Sequence, residues 1–299
     1  LKVLLTGASG FVGSYMQGVL PCVPLVSGGQ EVDLRKPEEL RQPIRSIRPD
    51  AVIHLAAQSF VPRSFQAPVE TLDINFYGTF NLLTALEQEG FSGSFLFVSS
   101  GDTYGVVPPE RLPIVEDQPL RPRNPYAVSK VAAEALCFQW SVKSRFKIVM
   151  ARSFNHIGPR QRTDFVVSDF AKQVAEIRKG LRGPVIRTGD IEVTRDFTDV
   201  RDIVRAYQML LDRGDNGEAY NVCSGREVRI SNILSRLIEI AGVQVAVEPD
   251  PERMRSAEQK RNYGSYAKLH NATGWQPQIE LEKTLKDILE YWEQELEKK

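Results

Sequence analysis

Tyr126 and Lys130 stand four residues apart in Tyr126-Ala127-Val128-Ser129-Lys130, a spacing that puts a phenol and an ammonium on one helical face, a turn apart. A free phenol titrates near pH ~10, too high for efficient proton exchange at neutrality, and a nearby cation is expected to stabilise the phenolate and lower that value. This pairing suits a tyrosine that gives a proton to a carbonyl oxygen while hydride reaches the carbon. Lys130 could also bond the ribose of a nicotinamide cofactor. Upstream, Ser99-Ser100 ends an apolar run, and Ser100 can donate a hydrogen bond that polarises the carbonyl. Asp102 has three readings: a general acid expelling a sugar hydroxyl, an acceptor for a sugar hydroxyl, or a loop cap. Elimination would also need a base for the proton alpha to a ketone. Position 101 is Gly, and no second carboxylate stands beside Asp102.

Hydride chemistry calls for a dinucleotide seat, and Thr6-Gly7-Ala8-Ser9-Gly10-Phe11-Val12-Gly13 has the form of one. The run Gly7-x-x-Gly10-x-x-Gly13 follows an expected strand and opens an expected helix at Phe11 and Val12. Absent side chains let the backbone turn tightly and approach a pyrophosphate, which rests on the free amides and positive dipole of the helix N-terminus. A glycine turn needed only for packing is the plainer reading. Asp33-Leu34 lies about twenty residues past Gly13, where a carboxylate can meet the cofactor's ribose or adenine, or can cap the helix before Pro37. The second strand ends at Ser27-Gly28 with no carboxylate, so a ribose phosphate is expected to meet no fixed negative charge. That tilts the choice toward NADP(H), with NAD(H) kept open. Leu55-Ala56-Ala57 and the following Gln58-Ser59 place small residues where the cofactor crosses the sheet edge, or where helices pack closely.

These residues are positioned by alternating strands and helices. Short apolar runs at 2–6, 23–27, 50–56, 94–99 and 146–152 read as strands, most of them apolar throughout, as strands covered on both faces must be. Helices are expected over 11–20, 37–47, 67–89 and 125–144, the last started by Asn124 as cap and Pro125 at the first helical position. The pattern predicts an α/β fold with a doubly wound parallel sheet, a Rossmann domain over 1–155 with returning segments near 189–222. A smaller α/β substrate lobe is expected mainly over 156–299. There, helices are expected at 166–179, 200–211, 230–241 and 281–297 and a strand at 184–188.

Lys plus Arg is 38 and Asp plus Glu is 38, so no global field recruits nucleic acid or an anionic membrane. Cys22, Cys137 and Cys223 are odd in number and form no CxxC or Cys/His cluster. A reduced, cytoplasmic protein without structural zinc is the expectation. No apolar run reaches the roughly 20 residues of a membrane span, and no leader pattern opens the chain.

Taken together, the chain resembles the extended short-chain dehydrogenase/reductase family, in its nucleotide-sugar branch, almost from end to end. The likeness rests on the glycine run, Ser100, the Tyr126/Lys130 pair, Asn75 in Asn-Phe-Tyr-Gly-Thr, the segment from Arg152 to Gln161, Arg195-Asp196-Phe197-x-Asp199-Val200, Asn221-Val222-Cys223-Ser224-Gly225 and Arg255-x-x-Glu258. Phe154-Asn155-His156-x-Gly158-Pro159-Arg160 and the Arg-x-x-Glu pair are similar to the GDP-mannose subgroup. The resemblance implies catalytic roles for Ser100, Tyr126 and Lys130. It makes Ser59, Ser64, Asn155, Arg187, Arg195, Arg255 and Glu258 the residues that hold a GDP-sugar. It further implies NAD(P)H-dependent reduction of the 4-keto group of GDP-4-dehydro-6-deoxy-D-mannose to GDP-D-rhamnose. The rivals are 4,6-dehydration of GDP-mannose, or another nucleotide-sugar dehydratase or epimerase activity, and, from another class, a non-catalytic NAD(P)-sensing protein. The dehydratases of the subgroup usually carry Thr-Ser-Glu where this chain has Ser100-Gly101-Asp102, a departure that weighs toward reduction. By the same likeness, the helices over 125–144 and 67–89 form a four-helix contact in a homodimer.

Overall fold

The computed structural model describes residues 1–253 and 259–298. Six strands form one parallel sheet: β1 (Val3–Thr6), β2 (Cys22–Pro24), β3 (Ala51–His54), β4 (Ser94–Ser100), β5 (Lys147–Ser153) and β6 (Ala219–Val222), in the order β6-β5-β4-β3-β1-β2. The chain reverses its direction of travel across the sheet between β1 and β3. Ligands of open α/β sheets bind at that crevice, beyond the carboxyl ends of the strands.

Alternation along the strands divides the core between the two faces. Val3, Leu5, Ile53, Leu96, Val149 and Ala151 face α1 (Phe11–Val19) and a helix at Val200–Arg213. Their neighbours Leu4, Val52, Phe95, Phe97, Ile148 and Met150 face the opposite layer, where Ile44, Leu82, Leu83, Leu86, Ala133 and Cys137 pack. That layer contains α2 (Arg41–Ile47), α3 (Gly78–Gln88) and α4 (Pro125–Lys143). The remaining long helices are α5 (Val166–Arg178), α6 (Val200–Arg213), α7 (Ile230–Ala241) and α8 (Leu281–Glu297). Of these, α5, α7 and α8 enclose a separate core with Val167, Phe170, Ile186, Ile233, Leu237 and Ile288, away from the sheet.

Several sequence expectations change in detail. The run at 23–27 splits: Cys22–Pro24 stays in the sheet, while Val26–Ser27 peels away to pair with Gln30–Glu31. Gly28 and Gly29, both with positive φ (59° and 81°), form the two-residue turn between them. The helix expected over 37–47 is broken into a 3-10 turn, Pro37–Glu39, and α2. Pro43 has no N–H, so an unbroken helix would leave the carbonyl of residue 39 unpaired. The helix expected over 67–89 contains a π-helical turn at Asp73–Tyr77 between Pro68–Leu72 and α3. Ala219–Val222 is a sixth strand that apolar patterning alone did not mark.

The start of α4 follows the sequence closely. Asn124 Oδ1 accepts the Ala127 N–H at 2.7 Å and Pro125 occupies the first turn. Its buried face carries Tyr126, Ser129, Lys130, Ala133, Glu134 and Cys137. Glu134 pairs with Arg152 of β5, whose guanidinium also donates to the Tyr104 hydroxyl at 2.9 Å and the Glu116 carbonyl at 3.0 Å. This buried fork pins α4 to the sheet. Removing one partner of such a pair costs about 3–5 kcal/mol, because the other charge is left without compensation.

Candidate active site

The glycine loop closes backbone on backbone. A Cβ on Gly13 would lie 2.2 Å from the Gly7 carbonyl oxygen, and one on Gly7, at φ 69°, would lie 2.8 Å from the Ala56 nitrogen. Gly10 heads α1 with no side-chain cap, and no acidic residue occupies the first turn. The amides of Phe11, Val12 and Gly13 are thereby available to an anion, which fits a dinucleotide pyrophosphate. Leu55, Ala56 and Ala57 leave β3 beside this loop, and the Ala56 N–H donates to Thr6 Oγ1 at 3.1 Å. Phe11 also stacks on His156, with ring centroids 6.0 Å apart and planes 11° from parallel.

Asp33 does not cap the Pro37 turn, which has no side-chain cap. Its carboxylate instead holds Arg35, accepting from Nε at 2.9 Å and Nη2 at 2.7 Å, and those bonds lower its pKa. The run ending at Ser27-Gly28 carries no carboxylate itself, but the strand after the turn supplies one. The Gly28-Gly29 turn carries Glu31 back to the glycine loop, where its two oxygens accept from the Ser9 N–H at 2.8 Å and the Ser9 hydroxyl at 2.9 Å.

At the end of β4 the structure gathers Ser100, Asp102 and Tyr126, with Arg195 near enough for its charge to act on Asp102. Ser100 caps a 3-10 turn, Gly101–Tyr104, its hydroxyl oxygen accepting the Asp102 N–H at 3.1 Å. The Ser100 proton is therefore free to point elsewhere. A Cβ at Gly101 would stand 3.1 Å from the Phe154 ring, so a larger residue there needs that ring to shift by a few tenths of an ångström. Burial raises the Asp102 pKa, while the Arg195 cation pulls it the other way.

Tyr126 corrects the sequence argument about activation. Its pKa is raised, chiefly by burial and then by the Asp102 charge, against the hydrogen bond it shares with Ser100. The Lys130 cation does not offset these effects. Lys130 Nζ instead donates to the Val98 carbonyl at 2.8 Å and lies 5.0 Å from the centre of the Phe97 ring. Burial lowers the lysine's own pKa to about 8. The phenol is thus held in its protonated form, as a proton donor rather than a ready phenolate.

Sequence reasoning missed a chain of buried hydrogen bonds beneath this site. The Thr79 hydroxyl donates to the Asn75 carbonyl at 2.7 Å, so it accepts from His54 Nε2 at 2.9 Å. His54 Nδ1 then accepts from Thr6 Oγ1 at 2.7 Å, and Thr6 accepts from the Ala56 amide. The π turn lets the Asn75 side chain donate to the Gln58 carbonyl at 3.0 Å and to Ser129 Oγ at 2.9 Å. The Ser129 hydroxyl donates to the Tyr126 carbonyl at 2.6 Å. The glycine loop and the tyrosine helix are thus tied through one imidazole, whose pKa burial lowers to about 3. The one available signal was a lone histidine ending the apolar run Ala51–His54.

The residues assigned to the sugar nucleotide are differently disposed. Ser59 and Asn155 are exposed at the carboxyl side of the sheet, after β3 and β5, and Arg187 is exposed on the short strand Val185–Thr188. Arg195 donates to the Thr194 carbonyl at 2.7 Å and the Gln259 carbonyl at 3.1 Å. Ser64 is fully buried, and its hydroxyl donates to Val61 at 2.7 Å within its own helix, so its proton is not offered to a ligand. Arg255 and Glu258 lie outside the described residues. Among the described residues, no group of three or more metal-ligating side chains is assembled.

A glycine cradle at the topological switch point, with a serine hydroxyl and a Tyr/Lys helix beyond the same sheet edge, defines a short-chain dehydrogenase/reductase of the nucleotide-sugar type. A family model described as GDP-mannose 4,6 dehydratase matches residues 29–288. Over 296 residues, 98% of this chain and 97% of the relative, the sequence is 47% identical to GDP-6-deoxy-D-mannose reductase of Pseudomonas aeruginosa. It is 26% identical to GDP-mannose 4,6-dehydratase of Yersinia enterocolitica, covering 86% of this chain and 76% of that one. Among solved structures, RMD from Pseudomonas aeruginosa complexed with NADPH superposes with TM-score 0.93 at 46% identity, over 98% of this chain and 99% of that chain. The Thermus thermophilus UDP-glucose 4-epimerase complex with NAD gives 0.86 at 30% identity, over 98% and 99%. The chain belongs to the GDP-mannose 4,6-dehydratase family.

Proposed function

We propose that the protein is an NAD(P)H-dependent oxidoreductase that reduces the 4-keto group of GDP-4-dehydro-6-deoxy-D-mannose to GDP-D-rhamnose. The observation that carries this reading is the pairing of a protonated, buried Tyr126 with Ser100 beside a position 101 that is Gly and carries no second carboxylate. That supplies proton donation to a carbonyl and omits a base at 101 for elimination. The relative at 47% identity, a GDP-6-deoxy-D-mannose reductase, points the same way.

When bound, NAD(P)H supplies the hydride that reduces carbon 4. Ser100 steadies the carbonyl oxygen by donating a hydrogen bond, and Tyr126 passes its phenolic proton to that oxygen, so the product is the alcohol. Lys130, held on the Val98 carbonyl one turn along α4, would bond the nicotinamide ribose when the cofactor is present, and solvent restores the proton to Tyr126. By the resemblance, Arg195, Arg187 and Asn155 would hold the diphosphate and sugar, guanidinium forks suiting phosphate oxygens. Mixing the protein with the keto sugar and NADPH should deplete absorbance near 340 nm as GDP-D-rhamnose forms. Product from GDP-mannose without reductant would instead establish dehydration, with Asp102, whose pKa burial raises, as its general acid.

The same reading includes a homodimer. Val69 and Tyr77, beside α3, and Phe138 and Val142, on α4, are large apolar side chains left 68%, 55%, 56% and 70% exposed on one helical layer. A shared four-helix contact would cover them. Val142→Glu should convert the dimer to monomer in light scattering; an unchanged mass refutes the contact. The three cysteines are free, which suits a reducing cytoplasmic setting. Among the described residues, no helix is long and apolar enough to cross a membrane.

A further inference from the structure

We propose that Tyr104 is a positioning residue for the reduction: its hydroxyl, held between Arg152 and Asn221, sets the separation of the Ser100 hydroxyl from the Tyr126 phenol. The inference deepens the proposed function and rests on the roles given there to those two groups.

Tyr104 and Ser100 belong to one rigid turn. Ser100 Oγ accepts the Asp102 N–H at 3.1 Å, the Thr103 hydroxyl donates to the Ser100 carbonyl at 2.7 Å, and the Arg121 N–H donates to the Thr103 carbonyl at 3.0 Å. Whatever holds the Tyr104 side chain therefore holds Ser100. That side chain is fully buried, and its hydroxyl meets partners on two other strands. It donates to Asn221 Oδ1 of β6 at 2.6 Å and accepts from Arg152 Nη1 of β5 at 2.9 Å. Burial pushes its pKa well above the usual tyrosine value, so the proton stays and the donor role is fixed. Asn221 is itself held, its side-chain amide donating to the Ile114 carbonyl at 3.0 Å and its backbone N–H to the Glu116 carboxylate at 2.8 Å.

The same guanidinium reaches the helix that carries Tyr126. Arg152 Nε donates to Glu134 Oε1 at 3.0 Å, and Glu134 shares the buried side of α4 with Tyr126 and Lys130. Apolar packing is non-directional and gives a helix no angular lock, whereas a planar fork accepts a carboxylate in one orientation. The lock matters at the scale of the chemistry. Turning α4 by about 10° carries a group ~6 Å from its axis through about 1 Å. A misplacement of that size costs on the order of a hundredfold in rate. Tyr104 joins the serine turn to this lock through one oxygen.

Tyr104→Phe deletes that oxygen and keeps the ring. With the keto sugar and NADPH, kcat should fall on the order of ten- to hundredfold while KM for each substrate stays within about twofold, the pattern of a contact realised in the transition state. Crystals of the variant and the parent should differ by more than about 0.5 Å in the separation of Ser100 Oγ from Tyr126 Oη. Asn221→Ser, which removes the acceptor and leaves the phenol, should give the same split, and it decides the matter if Tyr104→Phe does not fold. Ile233→Val, in the core away from the sheet, is the comparison for a purely structural loss: it should lower Tm and leave kcat within about twofold. Unchanged kcat, a rise in KM in place of the fall in kcat, or an unaltered separation overturns the assignment. A fall in kcat that Ile233→Val reproduces does the same. If the parent reduces no keto sugar, the proposed reaction falls, and the separation measured in the crystals still decides whether Tyr104 sets it.

Discussion

Replacing Lys130 by Met removes a buried ammonium while keeping the length of the side chain. Burial lowers the lysine's pKa from 10.5 to about 8 in the folded protein. The unfolded chain therefore binds the extra proton between those values, and stability gained from this group rises as pH climbs from 8 toward 10.5. Below pH 8 the folded state carries the full penalty, about 3 kcal/mol for such a depression. The methionine variant has no such penalty, but it leaves the Val98 carbonyl without its 2.8 Å donor, a loss of about 1–3 kcal/mol. At pH 7 the variant should thus be as stable as the parent, or more so by up to about 2 kcal/mol. Between pH 7 and pH 9.5 the difference should shift by about 2 kcal/mol in favour of the parent, whatever the Val98 term, because only the lysine titrates differently between the two proteins. Urea unfolding at the two pH values measures both quantities, and turnover should fall on the order of a hundredfold or more. A stability difference that does not move with pH would refute the argument that this ammonium is held against its desolvation.

His54→Leu probes the hydrogen-bonded link at the other end of the pH range. The folded imidazole is depressed to about 3, so the unfolded state binds more protons below 6.5 and stability is lost as pH falls; the variant should escape about 2 kcal/mol of that loss between pH 7.5 and 5 in urea titrations. Gly13→Ala forces a Cβ to 2.2 Å from the Gly7 oxygen, and thermal unfolding should report a loss of about 1–3 kcal/mol together with weakened cofactor binding. Asp102→Asn takes away a charge that raises the Tyr126 pKa, so the alkaline limb of the kcat/KM profile should move down by about one pH unit; an upward or absent shift would show that Asp102 does not act on the phenol.

Local rules carried most of the architecture. Apolar runs of strand length, the Gly7-x-x-Gly10-x-x-Gly13 spacing and the Asn124-Pro125 start each depend on neighbours in the chain, so β1, β3, β4, β5, α1 and α4 were legible before any coordinates. The i,i+4 relation of Tyr126 and Lys130 fixed their shared face for the same reason.

What spacing could not show was the environment those side chains would enter. Burial in a sheet-and-helix core acts on charge through every neighbouring layer, and it turned Tyr126 toward a held proton and Lys130 toward a lowered pKa, the reverse of the simple pairing. The return of Glu31 to Ser9, the π turn that aims Asn75 at Ser129, and the packing of the Phe154 ring against Gly101 all join residues distant in sequence. The chain's local preferences determined which segments become strands, helices and turns; only their packing decided which donors meet which acceptors and what each proton costs to move, because desolvation and through-space charge have no period in the sequence.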